Sequence, residues 1–488
     1  MSKLIVLLDG VDGITMEDGA RWMPLSILTI GSYLKHHGYD PVLLDPQVHP
    51  DWKERLADLA ARRPVFLGVS CLTGPSIYNA LDAIEITKAV DPTIPVVWGG
   101  YHATLRYSGI VQEGLADAVT RGPGEVAALA LARVFERYRS GDPGMQDELR
   151  DIPNIAYGSV NDGKIGLRLT PASRIPDMNE LPPYDYSLLN PELYYEGDER
   201  VILYSSSYGC PYACGYCSEP VNSGRRWRAL DPERMVTEIH SLVRRYRPSQ
   251  INFTDPNFSS DPRRVVTFVE ELRKRPADVT FMGCMRARDV VMIAKRMPIR
   301  HLSEIGWRRV FIGVETGSDR VLTYLNKAST TQDTYDACAL LSEAGIEQWT
   351  SFMHDLPTET EEESEETLRM CDRLKSLPHH HQSHNFYMPY PDTQLFQDEY
   401  AHLDLSKMRQ VDWAESSTKG SALWRGRTAF RHRVIDRLEQ MRDEVPEVYS
   451  RTTLLGRPDP EPPESEADSG RDTTVTYMSL IQEGLAPR

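Results

Sequence analysis

Cys210, Cys214 and Cys217 stand in the stretch GCPYACGYCSEP at a CxxxCxxC spacing, three thiols within eight residues. The chain has seven cysteines, an odd count that argues against a disulfide framework and, with this clustering, for metal. Soft thiolates select iron–sulfur or zinc. A structural zinc wants four protein ligands, and no fourth Cys or His lies at the usual spacing, which leaves a zinc knuckle as the alternative. Three thiolates on a four-iron cluster leave one iron open, and an open iron can chelate an amino group and a carboxylate. Arg286 and Arg288 close a strand, where they suit a carboxylate or phosphate of a ligand, or a structural role. His379, His380, His381 and His384 read as a polar loop before the last strand in preference to a metal site. Cys71, Cys284, Cys338 and Cys371 read as small buried residues, and Trp98 and Tyr101 as packing.

Two series of strands and helices must position these residues. Over residues 1–140, short apolar runs such as LIVLLD, VFLGVS and PVVWGG alternate with amphipathic helical stretches. Five strands of this kind read as a Rossmann-like, doubly wound parallel sheet. Residues 141–200 read as a connector with a hairpin around Asn161, Asp162 and Gly163. A second alternating series fills residues 201–396. It starts with VILYSSS, which runs straight into the cysteine loop, and ends with HNFYMPY. Six strand–helix units predict a partial (β/α)6 TIM-like barrel, with the active face at the strand ends. Residues 397–488 are expected to be helical around 428–450, and the acidic, Pro-rich stretch 458–472 has the composition of a disordered segment. The fold class is α/β.

The 488 residues suit two or three domains. A net charge of −16 argues against a nucleic-acid partner. No stretch approaches the roughly 20 apolar residues of a membrane span. The run MSKLIVLLDG reads as a buried strand and not as a signal peptide, so a cytoplasmic protein is expected.

From Val201 to Phe396 the chain resembles the radical S-adenosylmethionine (SAM) superfamily. The cysteine loop carries the resemblance, followed in order by NFTDPNF, FIGVETGS, SFMHDLPTETEEE and FYMPYPDTQLF. The resemblance implies a [4Fe-4S] cluster on Cys210, Cys214 and Cys217. It also implies SAM held by Tyr216, Asp255, Asn257, Arg286, Glu315, Tyr387 and Met388, with Asp255 and Asn257 near the methionine amino group and Glu315 on the ribose. His354 and Asp355 depart from a form that commonly contains glycine, and Asp392 stands where glycine is usual.

Residues 1–140 resemble the cobalamin-binding domain that precedes the radical domain in a large subgroup. GVSCLTG, WGGYHATL and RGPGE follow the third, fourth and fifth strands. The resemblance implies contacts from Pro24, Ser70, Leu72, Thr73, Gly99, Gly100, His102, Thr104, Gly122, Gly124 and Glu125, with Leu72 or Thr73 under the lower face. The DxHxxG signature is absent, so no His is expected on cobalt. Pro123 replaces the first Glu of the family's GEGE. Together these features imply a methyltransferase that makes a 5′-deoxyadenosyl radical and methylates a carbon of a small molecule, with no catalytic side chain beyond the cofactors. An external electron donor such as flavodoxin or ferredoxin is implied as well. The alternative is a cyclisation or rearrangement without methyl transfer.

Overall fold

The computed structural model describes residues 3–11, 21–140, 142, 144–161, 164–172, 176–195, 197–387, 389–390, 392–400, 408–416 and 428–444. The N-terminal sheet contains β1 (Leu4–Asp9), β2 (Asp40–Leu44), β3 (Leu67–Ser70), β4 (Val96–Gly99), β5 (Ala118–Thr120), β6 (Ile155–Asn161) and β7 (Lys164–Leu169). Its order is β2-β1-β3-β4-β5-β6-β7, and the first five strands are parallel. Between them run α1 (Leu25–His36), α2 (Trp52–Ala61), α3 (Ser76–Val90), α4 (Gly100–Gln112) and α5 (Glu125–Phe135), with the short α6 (Met145–Leu149) after them. Leu4, Val6 and Leu8 pack with α2, α3 and α4, whereas Ile5 and Leu7 pack with α1 and α5. A strand covered on both faces must be apolar throughout, as LIVLLD is.

The hairpin assigned to the connector belongs to this sheet: β6 pairs antiparallel with β5, and β7 with β6. It covers the edge of a three-residue strand that would otherwise leave its backbone groups unpaired. Asp162 and Gly163 lie outside the described residues. Further on, Tyr194 donates to Asp45 at 2.8 Å and Tyr186 to the Leu203 carbonyl at 2.5 Å, which laces the first sheet to the second.

Asp9 ends β1 and is buried, accepting from the Val11 amide at 3.0 Å and Ser26 at 3.2 Å. Burial lifts its carboxyl to about 7, with neighbouring Asp45 adding to the rise. The folded chain therefore binds a proton here that the unfolded chain has released above about pH 4. Stability from this site is full below that pH and is lost as pH rises through about 7. Asp9→Asn is expected to remove up to about 4 kcal/mol of this pH dependence, read as a smaller change in urea midpoint between pH 5 and pH 8. A variant with the same slope as the parent would refute the assignment.

The second sheet has the order β15-β14-β13-β12-β11-β8, with all neighbours parallel. Its strands are β8 (Val201–Tyr204), β11 (Gln250–Phe253), β12 (Thr280–Cys284), β13 (Trp307–Glu315), β14 (Glu347–His354) and β15 (His380–Phe386). Between β8 and β11, a two-residue ribbon pairs β9 (Ser207–Tyr208) with β10 (Arg228–Ala229). Its helices are α7 (Glu219–Ser223), α8 (Pro232–Tyr246), α9 (Pro262–Lys274), α10 (Ala287–Ala294), α11 (Arg300–Glu304), α12 (Asp319–Tyr324), α13 (Thr331–Glu343) and α14 (Glu361–Leu374). Among the described residues β8 and β15 are unpaired edges, so the barrel is open. Phe253, Phe258, Phe268, Phe281 and Trp307 interlock beneath the strand ends, with Phe253 stacked on Trp307 at 5.4 Å.

The polar-loop reading of PHHHQSH is corrected: His380, His381 and His384 lie on β15. His380 and His384 are buried on one face, where His384 Nδ1 meets His354 Nε2 at 3.0 Å and His380 meets Thr350 at 3.1 Å. Burial lowers all three imidazoles, His354 to about 4 and His380 to about 3, so they are neutral at pH 7. His381 faces the other way, against Trp349 at 5.0 Å.

After the barrel come α15 (Gln394–Tyr400), α16 (Gln410–Ser416) and α17 (Thr428–Glu444). Met408, Trp413 and Ala414 join the core under α2, α3 and α4, while Phe430, Val434 and Leu438 pack on Leu368 of α14. The acidic stretch 458–472 lies outside the described residues. No described helix is long and apolar enough to cross a membrane.

Candidate active site

The cysteine loop leaves β9 at the carboxyl end of the barrel and is held by its neighbours' backbones. Gly215 donates to the Leu325 carbonyl at 2.8 Å and accepts from the Leu395 amide at 2.8 Å, and Asn326 donates to the Ala213 carbonyl. Cys210, Cys214 and Cys217 are each half-buried. Burial pushes the Cys217 thiol up to about 12 and raises Cys210, with the neighbouring cysteines adding to both. At Cys210 and Cys217 a thiolate needs a metal charge beside it, so metal binding there would release protons. Among the described residues no three His, Cys, Asp or Glu side chains are arranged to hold one ion. A zinc knuckle needs convergence on one metal. A four-iron cube makes no such demand, because each thiolate binds its own iron.

Beside the loop, buried Glu315 and Lys327 form a triad with the partly buried Tyr216. Glu315 Oε1 accepts from Lys327 at 2.5 Å and from Tyr216 at 2.8 Å, and Lys327 lies 2.9 Å from the Tyr216 hydroxyl. Glu315 ends β13 with φ +70, at a register shift after Gly313. A Cβ on Gly313 would lie 2.5 Å from Glu315 Oε1, so a side chain there would displace the carboxylate from its present position. Positive φ on a non-glycine residue is the kind of strain that functional sites hold. Lys327 was missed in the sequence; its signal was a lone Lys just beyond the α12 stretch.

Asp255 and Asn257 do not present free groups. Asp255 is buried and accepts from the Ser206 amide at 3.0 Å, from its hydroxyl at 2.7 Å and from the Ser207 hydroxyl. It fixes the approach to the cysteine loop. Asn257 donates to Asp289 at 2.9 Å and accepts from Ser259 at 2.8 Å. Asp289 in turn accepts from Tyr212 of the cysteine loop at 2.7 Å. Arg286, 8% exposed, stacks on the Tyr212 ring at 3.4 Å and leaves Nε and Nη2 without partners. An unpaired buried guanidinium suits a carboxylate. Arg288 is exposed. Tyr387 is buried with Val321, Leu325, Leu356 and Leu395, and its amide donates to the His354 carbonyl at 2.9 Å. Met388 lies outside the described residues. Cys284 was expected to be buried; it is exposed at the end of β12.

A cavity of about 330 Å³ lies between the carboxyl ends of the N-terminal strands and the start of the barrel. Ser70, Gly99, Gly100, Thr104, Gly122, Gly124 and Glu125 line it from one side, and Ser207, Tyr208 and Gly209 from the other. Thr104 ties the loops together, donating to the Gly100 carbonyl at 2.9 Å and accepting from the Gly122 amide at 3.0 Å. Glu125 Oε2 is buried without a partner, and burial raises its carboxyl. An orphaned acid in a largely apolar space fits a large ligand that carries amides. Pro24, Leu72, Thr73 and His102 do not line the cavity. His102 is fully buried, its nitrogens taken by Thr73 at 3.0 Å and by Gln410 at 2.6 Å. Leu72 is 44% exposed, and Pro24 serves as the cap of α1.

Residues 204–371 match the radical SAM superfamily, and residues 12–132 match the B12 binding domain. The chain is 28% identical over 417 residues to an anaerobic magnesium-protoporphyrin IX monomethyl ester cyclase of Rubrivivax gelatinosus, covering 84% of this chain and 72% of the relative. It is 27% identical over 421 residues to an uncharacterized methyltransferase of Pyrococcus horikoshii, covering 86% of each. In fold it is similar to the radical SAM methyltransferase TsrM of Kitasatospora setae, solved with tryptophan and a SAM analogue. The TM-score is 0.65 at 18% identity, covering 82% of this chain and 76% of that one.

Proposed function

We propose that this chain, a cobalamin-dependent radical SAM enzyme with a [4Fe-4S] cluster, transfers a methyl group to a carbon of a small-molecule substrate. The observation that carries the reading is the shared cavity: loops of the B12-binding domain and the residues leading into the cysteine loop line one space. A relative named as a methyltransferase, similar over 86% of the chain, supports the reaction class. The bound cofactors supply the chemistry, a carbon-centred radical at the cluster and a cobalt-borne methyl group.

The residues place and enclose. Tyr216 and Glu315 orient the ribose side of SAM, with Lys327 fixing the carboxylate. Arg286 receives a carboxylate, of SAM or of the substrate. The cavity loops, led by Gly99, Gly100, Thr104 and Glu125, hold the corrin. Electrons come from an external donor such as flavodoxin or ferredoxin, in a cytoplasmic setting.

The cyclase named among the relatives favours a second reading, ring closure without methyl transfer. The two part before any substrate is needed. Reduced, cobalamin-loaded enzyme given SAM alone is expected to form about one S-adenosylhomocysteine per chain in a single turnover. Deoxyadenosine without S-adenosylhomocysteine would overturn methyl transfer in favour of cyclisation.

A further inference from the structure

Helix α7 leaves the cysteine loop and belongs to the barrel, yet it forms part of the cavity wall facing the N-terminal sheet. Its first residue, Glu219, donates its amide to Cys217 Sγ at 3.4 Å and accepts the Tyr101 hydroxyl from α4. Tyr101 is thus more than packing. Three residues on, Asn222 lines the same cavity and is 9% exposed. Neither its Oδ1 nor its Nδ2 has a partner. Asn257, by contrast, uses both ends on Ser259 and Asp289.

A buried amide left open at both ends is costly unless a ligand closes it. Donor and acceptor side by side are complementary to another carboxamide, whose carbonyl takes the N–H and whose N–H meets the carbonyl. The rim of a corrin carries several carboxamide side chains; SAM offers a matching donor–acceptor pair only at its adenine edge, and its amine, carboxylate and hydroxyls do not match. The cavity also divides by chemistry. Leu7, Phe66 and Val97 make an apolar end within the N-terminal sheet, suited to the flat base of a nucleotide tail, while Asn222 stands on the barrel side with Tyr208 and Pro256.

We propose that Asn222 binds a carboxamide of the corrin rim from the barrel side. The helix that touches a cluster thiolate then also grips the second cofactor. The inference rests on cobalamin as the occupant and not on methyl transfer.

The test measures the binding of hydroxocobalamin, and of cobinamide, which lacks the nucleotide tail, to the full-length, cluster-reconstituted protein. Asn222→Leu is expected to weaken both ligands ten-fold or more. Its iron content and its cluster signal with SAM should be unchanged. The isosteric Asn222→Asp keeps the volume and loses the donor, so it should weaken both in the same direction. Parent-like affinity in either variant overturns the proposal, and so does a loss confined to hydroxocobalamin, which would move Asn222 to the tail. A parent protein that binds neither ligand removes the premise itself, whereas failed methyl transfer with intact binding leaves this contact standing.

Discussion

Cys217→Ser is expected to abolish SAM cleavage, with deoxyadenosine formation falling at least about 10³-fold, because the radical chemistry resides in the cofactor and not in any side chain. Serine keeps the shape but replaces a soft thiolate with a hydroxyl that stays protonated near neutral pH. The Cys217 thiol already sits at about 12, pushed up by burial, and ionises only if iron repays the desolvation. Removing one of the three proposed ligands also strands Cys210 and Cys214, whose backbone tethers through Gly215 and Asn326 persist. The loop should therefore keep its path and lose its cluster. The measurement is iron and sulfide per chain, with hydroxocobalamin binding as the control for fold. A variant that keeps full iron would show that Cys217 is no ligand. A mononuclear zinc site would instead reveal itself in the parent, as one zinc per chain and no sulfide.

Most of the fold was legible because the chain repeats one simple rule. Buried parallel strands must be apolar, and the runs from Leu4 to Asp9 and from Val201 to Tyr204 are. The rule failed on β15, where histidine and glutamine alternate at buried positions. Their polarity hid the first half of a strand whose end, from His384 on, is legible in HNFYMPY; across to β14, His384 meets His354 and His380 meets Thr350. Period two was present in the sequence, but the residue types argued for a loop.

The glycine departures are explained by pairs distant in sequence. Asp355 and Asp392 both have positive φ, +59 and +65, the region glycine occupies at least cost. Each carboxylate meets an arginine from elsewhere. Asp355 is 2.6 Å from Arg431 of α17, and Asp392 pairs with Arg106 of α4. Backbone strain at the two turns is thus coupled to docking of the C-terminal helix and of the N-terminal unit. Local sequence cannot reveal such partners, separated here by 76 and 286 positions. The same limit explains Asp255. Motif order placed it at the active face, but its carboxylate is consumed by Ser206 and Ser207, two serines of the preceding connection.

Lys327 shows what that blindness missed, and its removal should have the second large effect. Lys327→Met would leave the Glu315 carboxylate buried, with Tyr216 as its one donor among the contacts described above. Both partners of the ion pair are 9% exposed at the side chain, so solvent cannot take over. Breaking such a pair from one side costs about 3–5 kcal/mol of stability. SAM affinity should fall as well, because Glu315 can receive ribose hydroxyls only while something fixes its rotamer at a strained φ. Losing one charge-assisted hydrogen bond in the network corresponds to roughly 10- to 150-fold in affinity. The expected readout is a lower urea midpoint with normal iron content, and a SAM-induced change in the cluster signal that needs far more SAM. Pairing Lys327→Met with Glu315→Gln separates the two roles. Neutralising both partners should restore much of the stability, since no lone charge is left buried, while affinity stays low. If the double variant recovered SAM affinity together with stability, the carboxylate would be a structural counter-charge and the ribose contact would have to come from another residue.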